Sequence, residues 1–193
     1  MARYSSEHKQ RTRARILDTA ARRFRSQGLD GSGVAAVMGD AGLTNGAFYS
    51  HFSSKDDLVG EVVVDQIARQ AELFEAAADE PDGLERVIDA YLSPRHRDDL
   101  AGGCVSAALL GELAHATPDV RARYASALPR MIAAFRRLAG MDDGASDAVV
   151  LARFAVLVGT VQFARSVQDA TLSTAILDEG KRNLRALLAG GGR

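Results

Sequence analysis

The sequence lacks most of what would tie a chain to a cofactor, a membrane or an oxidising compartment. A single cysteine among 193 residues, Cys104, excludes an intramolecular disulfide framework and any metal centre built on paired cysteines. Tryptophan is absent, and proline occurs only at Pro81, Pro94, Pro118 and Pro129, which leaves long stretches free of helix breakers. The start, Met1-Ala2-Arg3-Tyr4, has no apolar run behind its charge, so no signal peptide is expected and the cytoplasm is the default location. The most apolar stretch, 149–164, is interrupted by Arg153 and reads as too short to span a bilayer. No glycine-rich phosphate loop follows a strand pattern and no His-Glu metal pair occurs. The four histidines, His8, His51, His96 and His115, form no cluster along the chain. An enzyme, a metal and a bound cofactor are therefore not expected.

What is present is a well-mixed globular composition, 47% hydrophobic and 25% charged, with a formal net charge of -1. That near-neutral total conceals an asymmetry. Residues 1–29 hold eight Arg and Lys against two acidic residues, whereas residues 61–193 hold fifteen against nineteen. A basic leading segment on a mildly acidic body suits a polyanion gripped by one end of the molecule, although a solvated basic helix face has the same composition.

Between breakers the apolar residues recur at helical spacing, with no sustained alternation, so the fold class is all-α with about nine helices. The first helix is predicted from Ser6 to Gln27, with Ile16, Leu17, Ala20, Ala21 and Phe24 on one stripe and Gly28 as the left-handed cap. A short helix follows from Gly33 to Asp40, capped by Ser32, then a sharp turn at Gly42 and a third helix from Asn45 to His51 after Thr44. Ser54-Lys55-Asp56-Asp57 is a capping box that opens a fourth helix reaching Ala78. Five more are expected, over 82–92, 103–116, 117 onward with Pro129 kinking or splitting it, 145–168 and 173–189; 93–99 reads as a polar loop.

Two short helices joined through a glycine turn behind a longer basic helix read as a helix-turn-helix. Gly46 and Ala47 let backbone approach whatever the second helix faces. Asn45 presents the carbonyl and amide that bond an adenine edge, and with Thr44 is the choice for base readout. Tyr49, Ser50, His51 and Lys55 supply donors of the kind that hold phosphates, Ser32 and Gly33 sit at the start of the preceding helix, and Phe48 and Phe52 are assigned to the core. Arg3, Lys9, Arg11, Arg13 and Arg15 are further sources of phosphate anchors.

The run Gly42-Leu43-Thr44-Asn45-Gly46-Ala47-Phe48-Tyr49-Ser50-His51-Phe52-Ser53-Ser54-Lys55-Asp56-Asp57-Leu58 resembles the signature of TetR-type transcriptional regulators, and the likeness extends over residues 8–58. The resemblance implies an N-terminal three-helix domain, residues 1–53, joined by the long fourth helix to a C-terminal effector-binding and dimerisation domain, residues 54–193. It implies a homodimer on a palindromic double-stranded DNA operator, acting as a repressor and released by a largely apolar small molecule. Gly33, Met38-Gly39 and Asn45 depart from that pattern. The two glycines in so short a helix cost about 1 kcal/mol each relative to alanine, so packing through Val34, Val37 and Met38 has to compensate.

In the second half, Tyr91, Leu109, Leu113, Tyr124, Leu128, Met131, Phe135 and Phe154, with Gln162 as a polar handle, are candidates to line an effector cavity; equally, they are what a core requires. Cys104 follows two glycines at a helix start, where a thiol can become an oxidant or electrophile sensor, although single cysteines are more often small buried hydrophobes. Ala152, Ala155, Gly159 and Phe163 on one helix and Ile176, Leu177, Leu184 and Leu188 on the next carry more apolar surface than one inward face needs, which predicts a two-fold interface. The competing readings are an α-helical small-molecule-binding protein or enzyme without DNA binding, and a protein-interaction module.

Overall fold

The computed structural model describes residues 2–190, with side chains placed from 7 to 190. Ten helices and no strand occur among them: α1 (Ala2–Gln27), α2 (Val34–Asp40), α3 (Asn45–Phe48), α4 (Lys55–Ala78), α5 (Gly83–Tyr91), α6 (Pro94–Asp98), α7 (Val105–Leu113), α8 (Pro118–Leu138), α9 (Asp147–Ser166) and α10 (Ala170–Ala189).

The tenth helix is α6, where a polar loop was expected. Pro94 sets the first helical φ and the Ser93 hydroxyl accepts from His96 N at 3.1 Å, so one proline and one cap close a short turn that apolar spacing does not announce. Pro129 does not split α8. It lies on the exposed face of an unbroken helix, where water can take the carbonyl that loses its partner. The third helix ends at Phe48, three residues earlier than expected, and the chain leaves through a turn at Tyr49–His51.

Two aromatic clusters organise the core. Phe24, Phe48 and Phe52 are fully buried where α1, α2 and α3 meet, and Phe74, Phe135 and Phe154 pack tilted or edge-to-face with ring centroids 5.3–5.9 Å apart between α4, α8 and α9. Helix α4 serves both, because Leu58 and Val62 are buried toward its N-terminal half and Phe74 toward its far end, while α8 packs along its length. Ion pairs join the same parts: Arg69 to Asp18 at 2.8 Å and Arg123 to Asp57 at 3.1 Å.

Helices α9 and α10 pair closely. A side chain at Gly180 would fall 2.4 Å from Thr160, and the Ser173 hydroxyl donates to Ala164 O at 2.6 Å. At 20 residues, α9 is longer than the apolar stretch read from the sequence, and it is long and apolar enough by length and composition to cross a membrane. Its inner face, Phe154, Leu157, Val158 and Val161, is nonetheless buried against the rest of the chain.

Candidate nucleic-acid interface and ligand cavity

The segment 44–52 divides its residues by height above the core. Phe48 is fully buried with its ring 5.6 Å from Phe52, so α3 is plugged into the domain by one aromatic. Thr44, Asn45, Gly46, Tyr49 and Ser50 are exposed and Ala47 half-buried, with Tyr49 at 72% exposure standing edge-on to Phe48 at 5.2 Å. A phenol that wet, on a ring propped by a buried neighbour, is aimed outward at low entropic cost. Thr44 occupies the N-cap position of α3, yet its hydroxyl makes no capping hydrogen bond. Gly42 makes the turn with φ at 64°, a conformation that side-chain-bearing residues rarely adopt.

The neighbours of this segment differ from the sequence expectation in three ways. Ser32 does not cap α2: it is fully buried, its hydroxyl finds no partner among the described residues, and Gly33 takes the N-cap position with bare backbone. Helix α2 therefore starts without a side-chain cap and is held by buried Val37 and Met38. The Lys55 ammonium donates to Leu29 O at 2.5 Å, tying the start of α4 to the turn between α1 and α2, which leaves only its remaining protons for any outside anion. Ser54 does cap α4, accepting from Asp57 N at 3.0 Å, but the Asp57 carboxylate accepts from Ser53 N at 2.9 Å, one residue outside the expected box. These bonds from Ser53, followed by the charge of Arg123, hold the Asp57 carboxyl below its usual range.

Basic residues of α1 surround the exit of α3. His51 is half-buried, and burial first, then the positive charges of Lys9 and Arg13, push its pKa down, so the imidazole is neutral at physiological pH. Its buried Nδ1 has no partner among the described residues. Arg13 is committed elsewhere, pairing with Glu61 at 3.0 Å and lying 5.0 Å over the Phe52 ring, and Arg11 pairs with Glu7 at 3.4 Å. Lys9 and Arg15 are exposed and make no ion pair among the described residues. The side chain of Arg3 lies outside the described residues.

Sequence reasoning missed the residues that join this domain to the rest. Arg25 donates from Nε to Ala101 O at 2.7 Å and from Nη1 to Gln66 Oε1; burial is the main cause of its lowered pKa. Glu112, near the end of α7, accepts from Leu29 N at 2.6 Å. Pairs separated by 76 and 83 positions leave no periodic signal, and a charge at a half-buried position is all that could have marked them.

A cavity of about 850 Å³ opens between α4, α5 and the segment from α6 to the start of α7. Of the ten residues expected to line a pocket, it includes Tyr91 and Cys104. Leu109, Leu113, Met131, Phe135 and Phe154 are core instead, since α8 packs along α4 and fills the space between them. Tyr124 and Leu128 are half-buried on α8, and Gln162 is spent on a bond to Ala107 O at 3.3 Å. Gly102 and Gly103 border the cavity at a point packed too tightly for a side chain: a Cβ on Gly102 would meet Asp99 at 2.3 Å and one on Gly103 would meet Arg165 at 2.9 Å. The walls are Phe74, Ala77, Val87 and Val105, with Gln70 and Arg95 among the polar residues.

Of the eight residues expected in a two-fold interface, Leu177 and Leu184 are buried in their own chain, because they face α9. Leu188 and Ile176 are half-buried and Gly159 likewise, whereas Ala152, Ala155 and Phe163 are exposed, Phe163 at 68%. Leu172, Leu187 and Val149, which the sequence reading did not select, are exposed on the same two helices.

The profile of the family described as "Bacterial regulatory proteins, tetR family" matches residues 16–62. The HTH-type transcriptional regulator AcrR of Shigella flexneri is 42% identical over 62 residues, which is 32% of this chain and 29% of AcrR; the match thus spans under a third of that relative's length. Among solved structures, reduced NemR of E. coli superposes with a TM-score of 0.72 at 17% identity, covering 91% of this chain and 95% of NemR. A TetR-family regulator from Agrobacterium tumefaciens gives 0.72 at 19%, covering 90% and 97%. At such identities the structures speak for the whole fold and the sequence match for its N-terminal quarter.

Proposed function

We propose that this chain, whose residues 16–62 match the profile of the tetR family of bacterial regulatory proteins, is a transcriptional repressor. On this reading it grips a palindromic operator as a homodimer in the cytoplasm and releases it when a small, largely apolar effector fills the cavity. Residues 1–53 read DNA, and residues 54–193 bind the effector and the second subunit. The observation that carries the reading is the exposed surface of 44–50 over a fully buried Phe48: polar donors and two small residues stand clear of the core on a rigid stub fit for a major groove. Asn45 and Thr44 meet base edges there, while Tyr49, Ser50, His51, Lys9 and the backbone at Gly33 meet phosphates.

Selection of duplexes from a random pool tests this. Two inverted half-sites, about 10 base pairs between centres or a multiple of that, are expected. Asn45→Ala then relaxes preference at one base pair per half-site, at a cost of about 1–3 kcal/mol on the selected sequence. Failure to enrich any duplex at low salt would remove the regulator reading altogether.

Dimerisation is assigned to the outer faces of α9 and α10, where Phe163, Leu172, Leu187 and Val149 leave apolar surface uncovered. Phe163→Glu should convert a sedimenting dimer to a monomer with unchanged helical circular dichroism. A variant that still sediments as a dimer places the interface elsewhere.

A further inference from the structure

One wall of the cavity holds two groups that the regulator reading leaves unused. Tyr91 is only 7% exposed and lines the cavity, and among the described residues its hydroxyl has no nitrogen or oxygen partner, only the nearby Cys104 sulfur. A buried hydroxyl left unsatisfied costs about 1–3 kcal/mol, a deficit that a ligand's acceptor would remove. Cys104 is also 7% exposed and lines the same cavity. Burial, and next the nearby Cys104 sulfur, raise the Tyr91 pKa well above its usual value, so the phenol keeps its proton and can only be offered as a neutral donor or acceptor.

The two groups are held together by one side chain. His96 Nδ1 bonds Tyr91 O at 2.7 Å and its Nε2 accepts from Cys104 N at 3.1 Å, which fixes the tautomer with the proton on Nδ1. Its ring stands edge-on to Tyr91 with centroids 4.5 Å apart. With both nitrogens engaged, and its pKa lowered chiefly by burial, His96 works as a clamp and not as a base. Gly102 and Gly103 let the chain close this tightly, since neither position has room for a side chain.

We propose that this cavity is a covalent site for apolar α,β-unsaturated carbonyl compounds, with Cys104 Sγ bonding to the β-carbon and Tyr91 Oη donating to the carbonyl oxygen. The sulfur–carbon bond forms as the carbon–carbon π bond breaks. Its electron pair moves to the carbonyl oxygen as an enolate, which the Tyr91 hydroxyl holds, and the proton lost by the thiol ends on the α-carbon through solvent at the cavity mouth. Nothing is oxidised or reduced and no further reactant is needed. The apolar walls, Phe74, Ala77, Val87 and Val105, select for an alkyl or aryl body.

The consequence for regulation rests on the regulator reading; the adduct itself does not, and it is read without DNA. Intact-mass spectrometry follows addition of pentyl vinyl ketone to the native full-length protein, to the same chain in urea, and to the Tyr91→Phe and Cys104→Ser variants, with ethyl pentyl ketone as the saturated control. One adduct is expected, at a native rate above that of the unfolded thiol, absent in Cys104→Ser and with the control. In Tyr91→Phe, with unchanged circular dichroism, it should be slowed about tenfold or more for loss of a donor to the developing oxyanion. A native thiol that reacts no faster than the unfolded one identifies an inert buried cysteine and overturns the proposal, as does an undiminished rate in Tyr91→Phe. Duplex binding by unmodified protein is scored separately, so loss of the regulator reading and loss of this site are distinct results.

Discussion

Phe48→Ala should abolish operator binding and lower stability by about 3–5 kcal/mol, the range for removing a fully buried aromatic side chain. Phe48 has no exposed surface and its ring is the base on which Tyr49 and Phe52 rest, at 5.2 and 5.6 Å. Its helix has four residues, too few to persist without tertiary support. Removing the plug leaves a cavity between α1, α2 and α3 and frees the stub that carries Asn45 and Tyr49. Urea unfolding and a gel shift on the selected operator give the two readouts. Tyr49→Ala is the matching control: at 72% exposure the ring supports little, so DNA affinity should fall while the unfolding midpoint stays close to wild type. Equal destabilisation by the two substitutions would contradict this division between anchor and contact.

Glu112→Ala should uncouple the N-terminal helices from the body of the protein. The carboxylate accepts from Leu29 N at 2.6 Å and sits against Gly28, whose φ of 74° ends α1, while Lys55 takes Leu29 O from the other side. The turn between α1 and α2 is thus gripped at its N–H by α7 and at its carbonyl by α4. Loss of a hydrogen bond to a charged group is worth about 1.5–3 kcal/mol, and the Leu29 amide would be left without its acceptor. The first helices should then open before the rest, seen as earlier hydrogen exchange in α1–α3 and a shallower urea transition. A single transition of unchanged slope would show that other contacts across the boundary carry the coupling. The arrangement also links the cavity to the turn between α1 and α2. The α7 helix begins at Cys104 on the cavity and ends beside Glu112 on the turn, and Arg25 binds Ala101 O just ahead of the cavity glycines. An occupant that shifts this segment bears on both grips at once.

Much of the fold could be read from the chain, because helices are specified locally. The stripe from Ile16 to Phe24, the Ser54 cap and the proline at the start of α8 place their elements within a few residues. Helix α6 escaped because a proline and a hydroxyl, and not an apolar period, make it. Most of the residues expected to line a cavity are core for a different reason. Apolar residues that line a void and those that fill a core follow the same helical spacing, so Met131 and Phe135 could not be told from Val87. The same ambiguity put Leu177 and Leu184, which face α9, on an outer surface.

By itself the sequence determined the helical class, nine of the ten described helices in order and the short stub at 44–52 with its aromatic plug and exposed polar residues, because each depends on residues within a few turns of one another. Only the tertiary structure decided where space was left over, which buried hydroxyls went without a partner among the described residues, and how Arg25 and Glu112 bind a loop and a turn far away in the chain. Such features depend on how whole helices pack, and the spacing of residues along one helix is indifferent to what lies across from it.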